Sequence, residues 1–239
     1  MERIVCVTGA DRGLGLSLVK KFLETHYTVF AGKYLKECND LNDLQEAYQG
    51  KLFLVRLDIS NDFSVKQAAD FIGGYTDRID ILVNNGAILG DINTGIFDKM
   101  DFREILEVFN TNTLGALRVT NSLIGLLIKS TTRLIVNISS EAGSIADCER
   151  KSWFGYCMAK AALNMQSSLI HNGIKEAGGQ VLVLHPGWLQ TYMHGYKNME
   201  AQYTADEAAA KLFTIISNHK AYKGEEPVFI DLHGEIHPW

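Results

Sequence analysis

Tyr156 and Lys160 are the two side chains whose types and spacing could move a proton. They stand four apart in Gly155-Tyr156-Cys157-Met158-Ala159-Lys160-Ala161-Ala162-Leu163, a run that opens a helix, so they share one helical face. A free phenol, with a pKa of about 10, lies far from the range useful at neutral pH, and a lysine cation one turn away favours the phenolate and lowers that value. The same spacing alone is also that of an ordinary amphipathic pair. What else the chain delivers to that helix decides between the two.

The apolar run 133–138 reads as a strand that delivers Ser139 and Ser140 to its C-terminal end. Neighbours on an extended segment point opposite ways, so one of the two can face a site. Asn110-Thr111-Asn112-Thr113 interrupts a helical stretch from Asp101 to Lys129. Polar residues inside a helix compete with its backbone bonds, which predicts a kink or inserted water near Asn112, or else a junction between two helices.

Near the start of the chain an apolar run, Arg3-Ile4-Val5-Cys6-Val7, breaks into Thr8-Gly9-Ala10-Asp11-Arg12-Gly13-Leu14-Gly15. Apolar residues then recur at Leu14, Leu18 and Phe22, which predicts strand, tight loop and helix. Lacking a Cβ, Gly9 can make the turn, Gly13 can admit a ligand to the backbone, and Gly15 can let the helix pack closely. The helix N-terminus then offers unpaired N–H groups and partial positive charge, suited to a pyrophosphate. Glycine-rich turns also join strands to helices for packing reasons alone.

These groups need a scaffold that gathers them, and the chain repeats one. Further strands are predicted at 27–31, 52–58, 79–83, 180–184 and 228–231, with a helix over 64–75 and others between. Strands alternating with helices mean βαβ units and a parallel sheet, whose ligands bind beyond the carboxyl ends of the strands. The predicted fold is thus α/β: a single Rossmann-type, doubly wound domain over 1–239, with about seven parallel strands flanked by helices. The strand ending at Val83 runs into Asn84-Asn85-Gly86-Ala87, suited either to clamping neighbouring loops or to touching a cofactor. At the end of the second strand no carboxylate occurs until Glu37, whereas Lys33 and Arg12 can reach a 2′-phosphate, which favours NADP over NAD. The segment 188–204 holds Tyr192, Met193, Tyr196, Met199 and Tyr203: either a mobile lid over an apolar or aromatic substrate, or a surface loop packed by its own aromatics.

Composition narrows the class. The 239 residues carry a formal charge of -5, which argues against nucleic acid as a partner, and no apolar run is long enough to span a membrane. The first strand begins almost at Met1, so no signal segment is expected, and Cys6, Cys38, Cys148 and Cys157 lie far apart without a CxxC. Reduced thiols and a cytoplasmic setting are expected, with no metal site, since His185 and His194 stand isolated. Cys157, beside Tyr156, is either a reactive thiol or a small packed residue.

Thr8-Gly9-xxx-Gly13-x-Gly15, Asp58, Asn84-Asn85-Gly86-Ala87, Asn112, Ser140, Tyr156-xxx-Lys160 and Pro186-Gly187 with Thr191 follow one another across nearly the whole chain. In this order they resemble the short-chain dehydrogenase/reductase family. The segment 185–191 and the ending Pro238-Trp239 look most like its C-factor and Sniffer-type carbonyl reductases. Three departures stand out: the interval from Ser140 to Tyr156 is longer than is common, making that loop an individual substrate wall; Tyr34 replaces a frequent arginine; and Tyr192 replaces a frequent acid.

The resemblance implies an oxidoreductase that moves a hydride between nicotinamide and a carbonyl or secondary alcohol. Tyr156 would be its general acid and base, Lys160 would lower the phenol pKa and hold the nicotinamide ribose, Ser140 would hold the substrate oxygen, and Asn112 would anchor a water that passes a proton to Lys160. It places the cofactor against Gly9, Asp11, Arg12, Gly13, Leu14 and Gly15, then against Lys33, Asp58, Ile59, Asn85, Gly86 and Ala87. Pro186 and Gly187 complete the contacts, with Thr191 on the carboxamide and Tyr156 and Lys160 at the reacting end. It also implies a homodimer or homotetramer through the helices 113–129 and 156–175. The competing class is a dinucleotide-binding sensor or signalling protein on the same fold, with little turnover.

Overall fold

The computed structural model describes residues 2–37 and 39–239. The expected thiol at Cys38 lies outside the described residues; Cys6, Cys148 and Cys157 are free. Seven parallel strands form one sheet: β1 (Arg3–Val7), β2 (Tyr27–Lys33), β3 (Leu52–Arg56), β4 (Ile81–Asn84), β5 (Leu134–Ile138), β6 (Gln180–His185) and β7 (Val228–Asp231), in the spatial order β3-β2-β1-β4-β5-β6-β7. The order reverses between β1 and β4, which opens a crevice beyond their carboxyl ends.

Helices cover both faces, and this is why the strands read as apolar runs and not as alternating ones. On one face Val5 and Val7 pack with Leu18, Val19 and Phe22 of α1 (Gly13–Glu24) and with Leu212 and Ile216 of α7 (Ala205–Ser217). On the other, Ile4 and Cys6 meet Val65 and Ile72 of α3 (Asp62–Tyr75) and Leu123 and Leu127 of α5 (Ala116–Leu127). The helix α2 (Asn39–Ala47) buries Leu41 and packs Leu44, with Tyr48 just beyond its end, partly against the core, an i, i+3, i+7 spacing in a short and otherwise polar segment. The helix α3 starts at Asp62, where the Asn61 side chain accepts from Ser64 N, two residues before the predicted start.

The expected break in the helical stretch is a π-turn. Asn110–Gly115 lies between α4 (Phe102–Phe109) and α5 and lets the chain run on without a corner. The longest helix, α6 (Phe154–Ile174), carries Tyr156 and Lys160 on its buried face. Behind the site, Asn84 Nδ2 donates to Thr120 Oγ1 (3.0 Å) and Asn137 Oδ1 (2.8 Å), and Asn137 Nδ2 donates to Ser167 Oγ (2.7 Å), joining β4, β5, α5 and α6. Among the described residues no helix is long and apolar enough to cross a membrane.

Candidate active site

The first wall of the crevice is the glycine loop. Gly9 sits at φ 61°, and a Cβ there would lie 2.6 Å from Gly86 Cα; a Cβ on Gly15 would lie 2.2 Å from Gly9 O. Both positions therefore exclude a side chain, one for conformation and contact, the other for packing. The Asn84-Asn85-Gly86 segment is a clamp: Asn85 Nδ2 donates to Thr8 O and Gly9 O (3.0 Å each), and the main-chain N–H groups of Asn85 and Gly86 both donate to Thr8 Oγ1 (3.0 Å). Arg12, the N-cap of α1, is extended and makes no side-chain cap, and the first turn carries no acid. The N–H groups around Gly13 and Leu14 thus remain for an anion, and they fit a pyrophosphate.

Past that loop the crevice is polar. Asp11 Oδ1 accepts from the main-chain N of Tyr34 and Leu35 (2.8 Å each), tying the end of β2 to the glycine loop. The parallel register sets Arg56 beside Lys33, which sequence separation conceals. Asp58 Oδ1 closes its own turn with Ser60 N and Oγ (2.9 and 2.6 Å), and Ile59 is buried against Gly86 and Gly115. Next to Asp58 lies an open cavity of about 710 Å³ bordered by Tyr34, Arg56, Leu57 and Gln67. Arg12 turns the other way, its guanidinium 5.3 Å from the ring centroid of Tyr192. Its neighbour Gly13 leaves room for the Thr191 methyl, which a Cβ would approach to 3.2 Å.

Segment 188–204 is pinned at its base, where Gln190 N donates to Tyr203 O (2.8 Å) and Tyr203 N to Trp188 O (3.1 Å). Tyr203 packs on the core, while Tyr192, Met193, Tyr196 and Met199 stay exposed at the tip. Before it, Pro186 and Gly187 turn the chain out of β6, with Gly187 at φ 79° against Leu232.

The reacting centre lies between β5 and α6. Lys160 is buried, and its Nζ donates to Ile138 O at 2.8 Å and stands 5.5 Å from the Tyr156 ring centroid. Burial lowers its pKa to about 8. Ser140, rather than Ser139, lies on the side of Tyr156; Ser139 Oγ is turned away to Asn164 Oδ1 (2.7 Å). Asn112 is 2% exposed and its amide is engaged at both ends: Oδ1 accepts from Ile88 N and Nδ2 donates to Ile88 O (2.8 Å each). It fixes the loop after Ala87 to the π-turn.

One expectation is reversed. Lys160 was to lower the phenol pKa, yet Tyr156 is pushed well above the usual value. Burial is the first cause and the Glu141 carboxylate the second, against smaller opposing contributions from Ser140 and Arg150. Glu141 was not singled out in the sequence, since no motif marks it. Its Oε2 accepts from Ser140 Oγ (2.6 Å), its Oε1 accepts from Arg150, and His185 Nδ1 stands 3.5 Å from Oε2. Burial pushes the Glu141 carboxyl up, but Ser140, His185 and Arg150 together outweigh it and hold it below the usual range. His185, isolated in the sequence, is thus part of this wall.

The 141–155 loop closes the other side. Arg150 lies 5.2 Å over Trp153, and Trp153 meets Tyr156 edge-on at 6.0 Å, its backbone held at φ 68°, an uncommon conformation for a bulky residue. Leu89, Ile92 and Ala142 pack with them and with Cys157, whose thiol pKa burial pushes up, a setting opposed to reactivity. The centre therefore combines a protonated phenol, a buried lysine and a serine beside an apolar wall.

The family model for short chain dehydrogenases matches residues 3–202. The C-signal of Myxococcus xanthus is 29% identical over 171 residues, covering 69% of this chain and 95% of that protein. The NADPH-bound carbonyl reductase from chicken fatty liver superposes with a TM-score of 0.86 at 30% identity, covering 100% of this chain and 99% of that one. The carbonyl reductase Sniffer of Drosophila melanogaster, at 24% identity and a TM-score of 0.89 over 100% of both chains, shares the fold. The expected resemblance is met in both the sequence and the structure, and the protein belongs to the short-chain dehydrogenase/reductase family of oxidoreductases.

Proposed function

We propose that this protein is an NADP-dependent carbonyl reductase, with Tyr156 as proton donor. The observation that carries the reading is the convergence of Tyr156, Ser140 and Lys160 beyond the end of β5, next to a glycine cradle suited to a pyrophosphate. A bound nicotinamide supplies the hydride, which goes to the carbonyl carbon. Tyr156 gives its proton to the carbonyl oxygen as the C=O π pair moves onto that atom, and Lys160 supplies positive charge one helical turn away. Ser140 borders the oxygen, and the glycine loop, Asn85 and Thr191 hold the cofactor's length along the crevice. The apolar wall of Leu89, Ile92 and Trp153 suits an apolar or aromatic carbonyl compound, with segment 188–204 as its lid.

The preference for NADP rests on Lys33 and Arg56 side by side at the end of the β2–β3 pair, with no acid at the end of β2 to favour NAD, while Arg12 lies against Tyr192 and does not contribute. It is also the form bound in the chicken enzyme. We read the exposed apolar residues of α6, Met158, Met165 and Leu169, with Leu117 of α5, as covered by a second copy of the chain. A cytoplasmic setting completes the reading.

Fluorescence titration with NADPH and NADH, followed by turnover of a panel of aldehydes, ketones and quinones, tests it. Tighter binding of NADPH and turnover abolished by Tyr156→Phe are expected. Tight binding without turnover across the panel would replace the reductase by a dinucleotide sensor, and no binding of either would overturn both.

A further inference from the structure

Beyond β7, at the edge of the sheet, the chain turns back through residues 231–235. Asp231 Oδ1 accepts there from His233 N (2.8 Å) and Glu235 N (2.9 Å), and Gly234 takes φ 84°. The chain then runs antiparallel to β7: Asp231 N donates to Glu235 O (3.0 Å), Ile236 stands opposite Ile230, and His237 N donates to Phe229 O (2.8 Å). This pairing covers the edge of the sheet. Residues 237–239 do more than an edge requires. The His237 ring meets His185 edge-on at 5.5 Å, the Trp239 ring packs on Phe229 with centroids 5.6 Å apart, and the main-chain O of Trp239 accepts from both Ile145 N and Ala146 N (3.2 Å each).

Ile145 and Ala146 belong to the loop after β5, two strands in from that edge, which walls the reacting centre. The loop is tied at its inner end, where Asn164 Nδ2 of α6 donates to Gly143 O (3.1 Å), and at its far end, where Ser152 Oγ donates to Ile92 O (2.8 Å). Between these ties, among the described residues, the main-chain hydrogen bonds that leave the loop go to Trp239. We propose that Trp239 is a positioning residue for the substrate: its main-chain oxygen, anchored by its ring on Phe229, holds the outer part of this wall and so fixes the width of the cleft beside Trp153. The path from one to the other is short. Arg150, just past the tied segment, lies over Trp153, and Trp153 meets Tyr156. His237 against His185 braces the end of β6, from which Pro186 and Gly187 lead into segment 188–204. One returning segment thus backs both the wall after β5 and the base of the segment after β6.

The inference rests on the reading of this cleft as a carbonyl site, and the two can fail separately. Removal of Pro238 and Trp239 unfastens the wall and leaves the edge pairing at Ile236 and His237 in place. Trp239→Phe keeps the main-chain oxygen and an aromatic ring for Phe229. In the shortened protein amide hydrogen exchange is expected to rise across 144–153 and to stay unchanged in β1, β4 and the glycine loop. KM for a bulky aromatic ketone is expected to rise about tenfold, with the Kd for NADPH unchanged and both values kept by Trp239→Phe. A residue that only protected the sheet edge would raise exchange in β7 and lower Tm with KM kept. That result, or unmoved exchange across 144–153 in a folded shortened protein, overturns the inference. Should the shortened protein fail to fold, Ala146→Pro deletes one of the two donors without touching the edge; the same two readouts are expected to move in the same direction, and native values in that variant overturn the inference. Raised exchange across 144–153 in a protein that reduces no carbonyl would retain the Trp239 tie and reject the reductase.

Discussion

Lys160 bears the cost of the site in its own protonation. Its ammonium is buried with one backbone acceptor, and its pKa of about 8 lies below the value of an unfolded lysine. The unfolded chain therefore binds more protons between the two values, so the cost is present in full below pH 8 and is relieved as pH rises through and beyond it. Lys160→Met removes that cost and loses one hydrogen bond, so at pH 7 the variant is expected to be more stable by about 1–2 kcal/mol while carbonyl turnover is lost. Denaturant unfolding of both proteins at pH 7 and again near pH 10 checks it, the gain shrinking at the higher pH. A destabilised variant at pH 7 would mean that the ammonium is better solvated than its burial implies.

The π-turn is the element on which the cofactor-side loop depends. An extra residue in the helix between α4 and α5 points Asn112 at Ile88, where one amide satisfies both the N–H and the C=O of a loop residue. Neither group of Ile88 has a strand or helix to pair with, and Asn112 is buried while Ile88 itself is exposed. Asn112→Ala removes both bonds at a loop residue that water partly reaches and is expected to cost about 1–3 kcal/mol. Amide hydrogen exchange across 85–90 is expected to rise in the variant by more than in β1 or β4, a local loosening that tells this role apart from a general loss of stability.

At the scale of the molecule the sheet is covered on both sides, and yet α6 shows Met158, Met165 and Leu169 to solvent on the face opposite its catalytic one. Residues of this size each gain about 1.5–3 kcal/mol from full burial, enough in a patch to hold two copies together. Sedimentation is expected to find a dimer or tetramer for the native sequence and a monomer for the double substitution Met165→Glu with Leu169→Glu. A native protein that sediments as a monomer at every concentration would set the proposed interface aside. Because Tyr156 and Lys160 face inward from the same helix, cofactor binding by the monomeric variant would further separate assembly from the site.

What could be read before any coordinates were features whose cause is local. Gly9 and Gly15 are legible because their backbone conformation and packing exclude a Cβ; the parallel sheet, because strands buried on both faces must be continuously apolar; and Tyr156 with Lys160, because a helix puts residues four apart side by side. The family's motifs lie on such local features, which is why the fold and the reacting pair could be named from them. Tertiary structure decided whatever depends on distant residues meeting. Arg56 joins Lys33 through strand register, Arg12 turns to Tyr192, and Asn112 spends its amide on Ile88. The direction of the Tyr156 pKa is of this kind too. Helical spacing brings Lys160 near and predicts a fall, but burial depth and a carboxylate brought to Ser140 by the turn after β5 act at short range in a poorly screened interior, and they outweigh it.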